Sequence, residues 1–184
     1  MKNFRWIAIL LSIMFLIACN ETEAGEGKGS YPDNWKKIER EAFSLYSPDT
    51  LVADSSGMMG TSLILFGKPD TLSRLPFRTN INIIVQDLKG MNFSFEDYLK
   101  LTEEQIKALF KDGVMEKTEK FTRDGKPWAK LEYTGTTADY KLAFLQYITL
   151  IDEKAYLFTL TASPEYFSSW KKLTEKIVNS VQIK

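Results

Sequence analysis

Histidine is missing from the 184 residues, and cysteine occurs once, at position 19. Serine–histidine–aspartate and cysteine–histidine catalysis are therefore excluded, as are histidine or thiolate metal sites and structural disulfides. Long apolar runs are missing too. The longest, residues 6–17, covers roughly 18 Å as helix against the ~30 Å of a hydrocarbon core. There is no excess of either charge, with 24 lysines and arginines facing 24 aspartates and glutamates. No arginine-rich stripe interleaves with aromatics, so nucleic acid is not an expected partner. What is present is 44% apolar, 13% aromatic and 26% charged, the composition of a chain that buries a core.

The N-terminus has the parts of an export signal. Lys2 and Arg5 precede the short apolar run, which is too short to span and is followed by Leu16-Ile17-Ala18-Cys19. That tetrad resembles the bacterial lipobox, whose cysteine becomes the lipidated first residue of the mature protein. The resemblance implies a signal peptide at 1–18 and acyl chains on Cys19. At ~0.8 kcal/mol per buried methylene, several chains hold a protein on a membrane essentially permanently. Residues 19–30 then form a tether. Residues 20–30 have no large apolar side chain and a flexible reach of roughly 18 Å. Position 20 is asparagine rather than the aspartate that marks inner-membrane retention, so the resemblance points to the outer membrane. Taking Lys2 and Arg5 from the 24 basic residues leaves 22, a mature net charge of about −2.

Residues 31–184 read as one α+β domain. Ser94 and Asp97 form a capping-box variant before a helical stripe of Phe95, Tyr98, Leu99, Ile106, Leu109 and Phe110, and Gly113 supplies the stop. Ser163-Pro164 opens a second helix with Tyr166, Phe167, Trp170, Leu173, Ile177, Val178 and Val181 inward, which places Lys171, Lys172 and Lys176 on the wet face. Strands are expected at 43–46, 62–66, 80–86, 114–122, 128–137, 142–151 and 155–161. Asp124-Gly125 and Asp152-Glu153-Lys154 make two hairpins, which require antiparallel pairing. The expectation is a single antiparallel β-sheet flanked by helices.

The order and wording of these elements resemble the PsbP-like domains, a family also represented by DcrB-like bacterial lipoproteins. The resemblance rests on Phe43-Ser44-Leu45-Tyr46-Ser47-Pro48, Phe77-Arg78-Thr79-Asn80-Ile81-Asn82-Ile83 and the helix from Phe95. It rests also on the run Ala155-Tyr156-Leu157-Phe158-Thr159-Leu160-Thr161-Ala162-Ser163-Pro164-Glu165-Tyr166 and on Ile177-Val178-Asn179-Ser180-Val181. It implies a PsbP-like α/β/α sandwich and an accessory or assembly role in the cell envelope, exercised on another envelope protein. It implies no reaction and no cofactor. The histidine that binds metal in some plant members has no counterpart here.

Residues with chemistry are few. Among the carboxylates, the pairs Glu103-Glu104 and Asp152-Glu153, with Asp87 near a strand end, are the candidates, and a hydrolase would need two carboxylates facing across a cleft about 5–10 Å wide. The Gly57-Met58-Met59-Gly60 loop reads as a plug for an apolar edge rather than a copper site. Trp128, with Arg123 nearby, and Arg78 are the candidate interaction surface, because tryptophan buries large area at low entropic cost. No catalytic residue and no metal ligand is expected. The alternative reading is a carrier for a small apolar ligand, lodged in a cavity of roughly 300–1,000 Å³ between sheet and helix.

Overall fold

In the computed structural model, residues 31–68, 77–110, 112–137 and 140–184 are described; the signal, Leu16, Ile17, Ala18, Cys19 and the tether lie outside them. All described residues belong to the unit Tyr31–Lys184. In chain order the elements are β1 (Trp35–Glu39), β2 (Phe43–Pro48), β3 (Val52–Asp54), β4 (Leu63–Phe66), β5 (Asn80–Asp87) and α1 (Phe95–Leu109). Then come β6 (Val114–Arg123), β7 (Lys126–Thr137), β8 (Tyr140–Ile151), β9 (Lys154–Ala162), α2 (Pro164–Asn179) and β10 (Gln182–Ile183).

These strands form two sheets, which corrects the single sheet expected from the sequence. Seven strands run β3-β4-β5-β9-β8-β7-β6, and three run β1-β2-β10, all antiparallel. The missed strands explain the error. β10 is two residues long and β3 three, too short for a period-2 signal, and β1 shows no clean alternation. Yet β10 pairs Gln182 with Ser44 and Ile183 with Phe43, which draws β2 away from the large sheet.

Alternation along the long strands separates two cores. Cross-strand partners place Leu131, Gln146, Thr159, Asn82 and Ile64 in one row of one face. That face packs α1 through Tyr98, Leu99, Ile106 and Phe110. The other face carries Trp128, Tyr147, Tyr156 and Phe158 and packs both α2 and the small sheet, whose Phe43 meets Phe158 edge-on at 6.3 Å. The layers are helix, sheet, then helix with small sheet.

Ser94 caps α1 as expected, its Oγ accepting the Asp97 N–H at 3.1 Å. Leu109, expected in the inward stripe, is 73% exposed, because Ile106 and Phe110, four apart, already occupy that face. Val181 is buried but lies past the end of α2. Gly135 lets Phe110 approach the sheet, since a Cβ there would stand 2.4 Å from the Phe110 ring.

Burial raises the hydroxyls of Tyr98, Tyr133, Tyr147 and Tyr156 above the ordinary value of 10.0, desolvation of the phenolate being the largest cause in each. A raised folded-state value contributes stability that is complete below the unfolded value and lost as pH rises towards the folded one. With no histidine to titrate, the thermal midpoint is expected to stay flat from roughly pH 5.5 to 8 and to fall steeply above about pH 10. Calorimetry across that range checks both limbs.

Candidate functional site

The three residues expected on an interaction surface occupy two distant places. Trp128 is only 3% exposed, which corrects its reading as a free anchor. It stacks on Phe158 at 6.0 Å and Phe121 at 6.2 Å, inside the α2-side core. Arg123 lies 5.3 Å over the Trp128 ring and donates to the carbonyls of Val178, Asn179 and Val181 at 2.8, 3.0 and 2.7 Å. A cation at the C-terminal end of a helix meets unsatisfied carbonyls and the negative end of its dipole, so this arginine latches the β6–β7 hairpin to α2. Arg78 sits at the other margin of the sheet, 4.9 Å over Phe66, and donates to the Gly67 carbonyl at 2.7 Å.

Other sequence expectations fare variously. Met59 is 90% exposed and Met58 45%, so the loop plugs nothing, and Met59 carries a left-handed φ of 54°. Lys171 is not on a wet face: its ammonium pairs with Glu132 at 2.7 Å, beside the Lys130–Glu175 pair at 2.7 Å, and the two tie α2 to β7. Glu103 accepts a hydrogen bond from Thr118 across to β6. Among the described residues no group of three acidic side chains is placed to hold a metal ion.

The α1 face of β4, β5, β7, β8 and β9 carries no charged side chain: Ile64, Phe66, Asn80, Asn82, Ile84, Gln86, Ala129, Leu131, Tyr133, Phe144, Gln146, Ile148, Thr159 and Thr161 follow one another in register. Within it Gln146 donates to Thr159 at 3.0 Å, while its Oε1 is buried and has no partner among the described residues.

Among the described residues, an opening in the surface lies where α1 begins, at one end of the large sheet. Residues 88–93, between β5 and α1, meet the β8–β9 turn at Asp152-Glu153. The Leu88 N–H donates to the Glu153 carbonyl at 2.8 Å, and the Gly90 N–H donates to Glu153 Oε1 at 3.3 Å. Leu88, Asn92, Phe93, Leu150 and Glu153 line a half-open cavity of about 310 Å³. Its apolar wall is continuous with the α1-side core. Its rim is held in unusual backbone: Asn92, Asp152 and Glu153 have φ of 51°, 49° and 57°. Two positive φ values in a two-residue turn are the type I′ geometry, which ordinarily takes Asn-Gly. The Asp124-Gly125 turn, by contrast, places glycine in its second position. Asparagine and aspartate tolerate left-handed backbone, whereas at Glu153 it costs about 1–2 kcal/mol.

No family model matches the chain, and no curated protein matches it. Solved structures do. The cyanobacterial PsbP (CyanoP) of Synechocystis sp. PCC 6803 superposes with a TM-score of 0.63 at 15% identity, over 85% of this chain and 99% of that one. The fold is PsbP-like. LpqN of Mycobacterium tuberculosis matches with a TM-score of 0.58 at 12% identity over 82% and 90% of the two chains. PA94 of Pseudomonas aeruginosa, a protein of unknown function, matches at 0.53 and 15% over 78% and 96%.

Within this PsbP-like fold the cavity draws on residues that sequence reasoning passed over, Glu153 excepted. One signal was available. A two-residue hairpin turn with no glycine is out of place, and Asp152-Glu153 is such a turn.

Proposed function

We propose that the mature chain is a lipid-anchored, non-catalytic binding or accessory module of the cell envelope, held to a membrane through acylated Cys19 and working on another envelope protein. The lipobox tetrad Leu16-Ile17-Ala18-Cys19 supports the anchor, as does the polar tether that follows it. The PsbP-like fold supports an extracytoplasmic accessory role, as does the involvement of LpqN in cell envelope biogenesis. The observation that carries the binding half is the cavity at the end of the sheet. At its rim Glu153 holds left-handed backbone, which asparagine and aspartate tolerate, as Asn92 and Asp152 do, but which glutamate rarely adopts. Two carboxylates facing α2 and β7 are held by structural partners, Glu132 by Lys171 and Glu175 by Lys130. A carrier of apolar ligands would want space enclosed between sheet and helix, whereas this cavity opens beside exposed Asn92 and Glu153.

Two experiments test the reading. Cys19→Ala is expected to move the protein from the membrane to the soluble fraction with its thermal midpoint unchanged; continued membrane association would defeat the anchor. A photo-crosslinking residue at Met91, which is 59% exposed beside the cavity, is expected to capture one envelope protein in intact cells. Absence of any adduct there and at Asn92 would remove the binding role from this end of the sheet.

A further inference from the structure

One margin of the seven-stranded sheet is β6, ten residues long. The other outer strands, β1, β3 and β10, have five, three and two residues. Short edges offer little to another strand, whereas β6 carries a long row of backbone groups with no strand beside it among the described residues. The two-residue turn Asp124-Gly125 makes Arg123 and Lys126 the hydrogen-bonded pair that closes the hairpin. Counting back by twos, Phe121, Glu119 and Lys117 turn their backbone towards β7, and Lys120 and Thr118 turn theirs outward. The middle of this edge reads Glu116-Lys117-Thr118-Glu119-Lys120, acid and base on either side of an uncharged centre. Lysine on an edge ordinarily keeps a second strand away. In this order it does the reverse for one register. An antiparallel second copy joins only where outward-turned residues meet outward-turned ones, so the two-fold axis falls between a residue and its own copy. An axis at Glu116, Lys117, Glu119 or Lys120 sets two identical charges directly opposite, which destabilises a pair of strands. An axis at Thr118 sets Glu116 against Lys120 and Lys117 against Glu119, each twice, and no like charges meet.

We propose that two copies of this chain pair edge to edge through β6, antiparallel and centred on Thr118, so that their large sheets become one. This goes beyond the binding reading above and makes no use of the cavity. Within a single chain the same charges have local partners or none. Lys117 leans along its own strand to Glu119, Lys120 reaches Glu96 of α1, and Glu116 forms no ion pair among the described residues. The β-bulge between Met115 and Lys117 ends the ladder at Glu116, and the symmetry ends it at Lys120 on the other side. Five residues from each strand make a small contact, so association is expected at roughly tens of micromolar.

The test uses the full chain in mild detergent, with Cys19→Ala so that an introduced thiol is the sole one. Thr118→Cys should give a disulfide-linked dimer on mild oxidation, because a hydrogen-bonded pair of opposite residues stands about 5.5 Å apart at Cα, within disulfide reach. Thr122→Cys should give little, since the same register parts the two positions by roughly 26 Å along the strands. Without either thiol, sedimentation equilibrium should show a dimer that Lys117→Glu weakens about tenfold, by setting like charges opposite at two places. Adding Glu119→Lys exchanges the two charges and should restore the affinity to within about threefold. Equal oxidation at positions 118 and 122 would overturn the proposal. So would the absence of any dimer at about tenfold above the expected range, or a failure of Glu119→Lys to rescue Lys117→Glu.

Discussion

Trp128→Ala is expected to lower the unfolding free energy by about 3–5 kcal/mol, the range for truncating a buried aromatic. The indole is 3% exposed at the start of β7, layered between Phe158 and Phe121, with Arg123 across its face. Truncation leaves a void among side chains that cannot collapse together, because Phe158 is itself wedged by Phe43 from the small sheet. Urea denaturation checks it: the midpoint should fall sharply at constant slope. A loss below about 1 kcal/mol, the level of a surface substitution, would show that Trp128 is not a core residue. The expected consequence for binding is nil, since Trp128 lies outside the residues that line the cavity.

Arg123→Ala is expected to cost about 2–4 kcal/mol, with a drop in thermal midpoint of roughly 4–16 °C for a domain of this size. Three carbonyls at the end of α2 lose their donor at once, and the Trp128 ring loses its cation. Arg123→Lys should recover less than half, because one ammonium cannot span three acceptors that a planar guanidinium reaches together. Full recovery by lysine would reduce the latch to simple charge at a helix end. The two sites touch, so the double substitution should cost less than the sum of the singles, by roughly 0.5–3 kcal/mol. Strict additivity would mean that the arginine holds α2 without help from the indole.

Both results separate stability from recognition in a part of the chain where the sequence suggested an interaction surface. The pairing of Trp128 with Arg123 was legible, since both flank the Asp124-Gly125 turn. Its meaning was not. Whether a tryptophan at a strand end faces solvent depends on what is laid over that face, and here β1 and β2 arrive from before it in the chain and α2 and β10 from after it. The same applies to Lys171. Helical periodicity turns it away from the apolar stripe, but Glu132 of β7 waits on that side. Period alone cannot see a partner 39 residues away.

By itself the sequence determined the local structure: two amphipathic helices with the Ser94 and Ser163-Pro164 starts, two hairpins at their turns, and antiparallel pairing throughout the long strands. Such features follow from steric and hydrogen-bonding preferences among near neighbours, and these act whatever the rest of the chain does. Excluding histidine and thiol chemistry needed only a count. Tertiary structure alone decided that β2 leaves the main sheet to join β1 and β10, that Trp128 is covered, and that residues 88–93 meet Glu153 at a half-open cavity. Each of those joins segments distant in the chain, and an encounter of that kind is selected by packing and by loop closure, to which no short window of residues is sensitive.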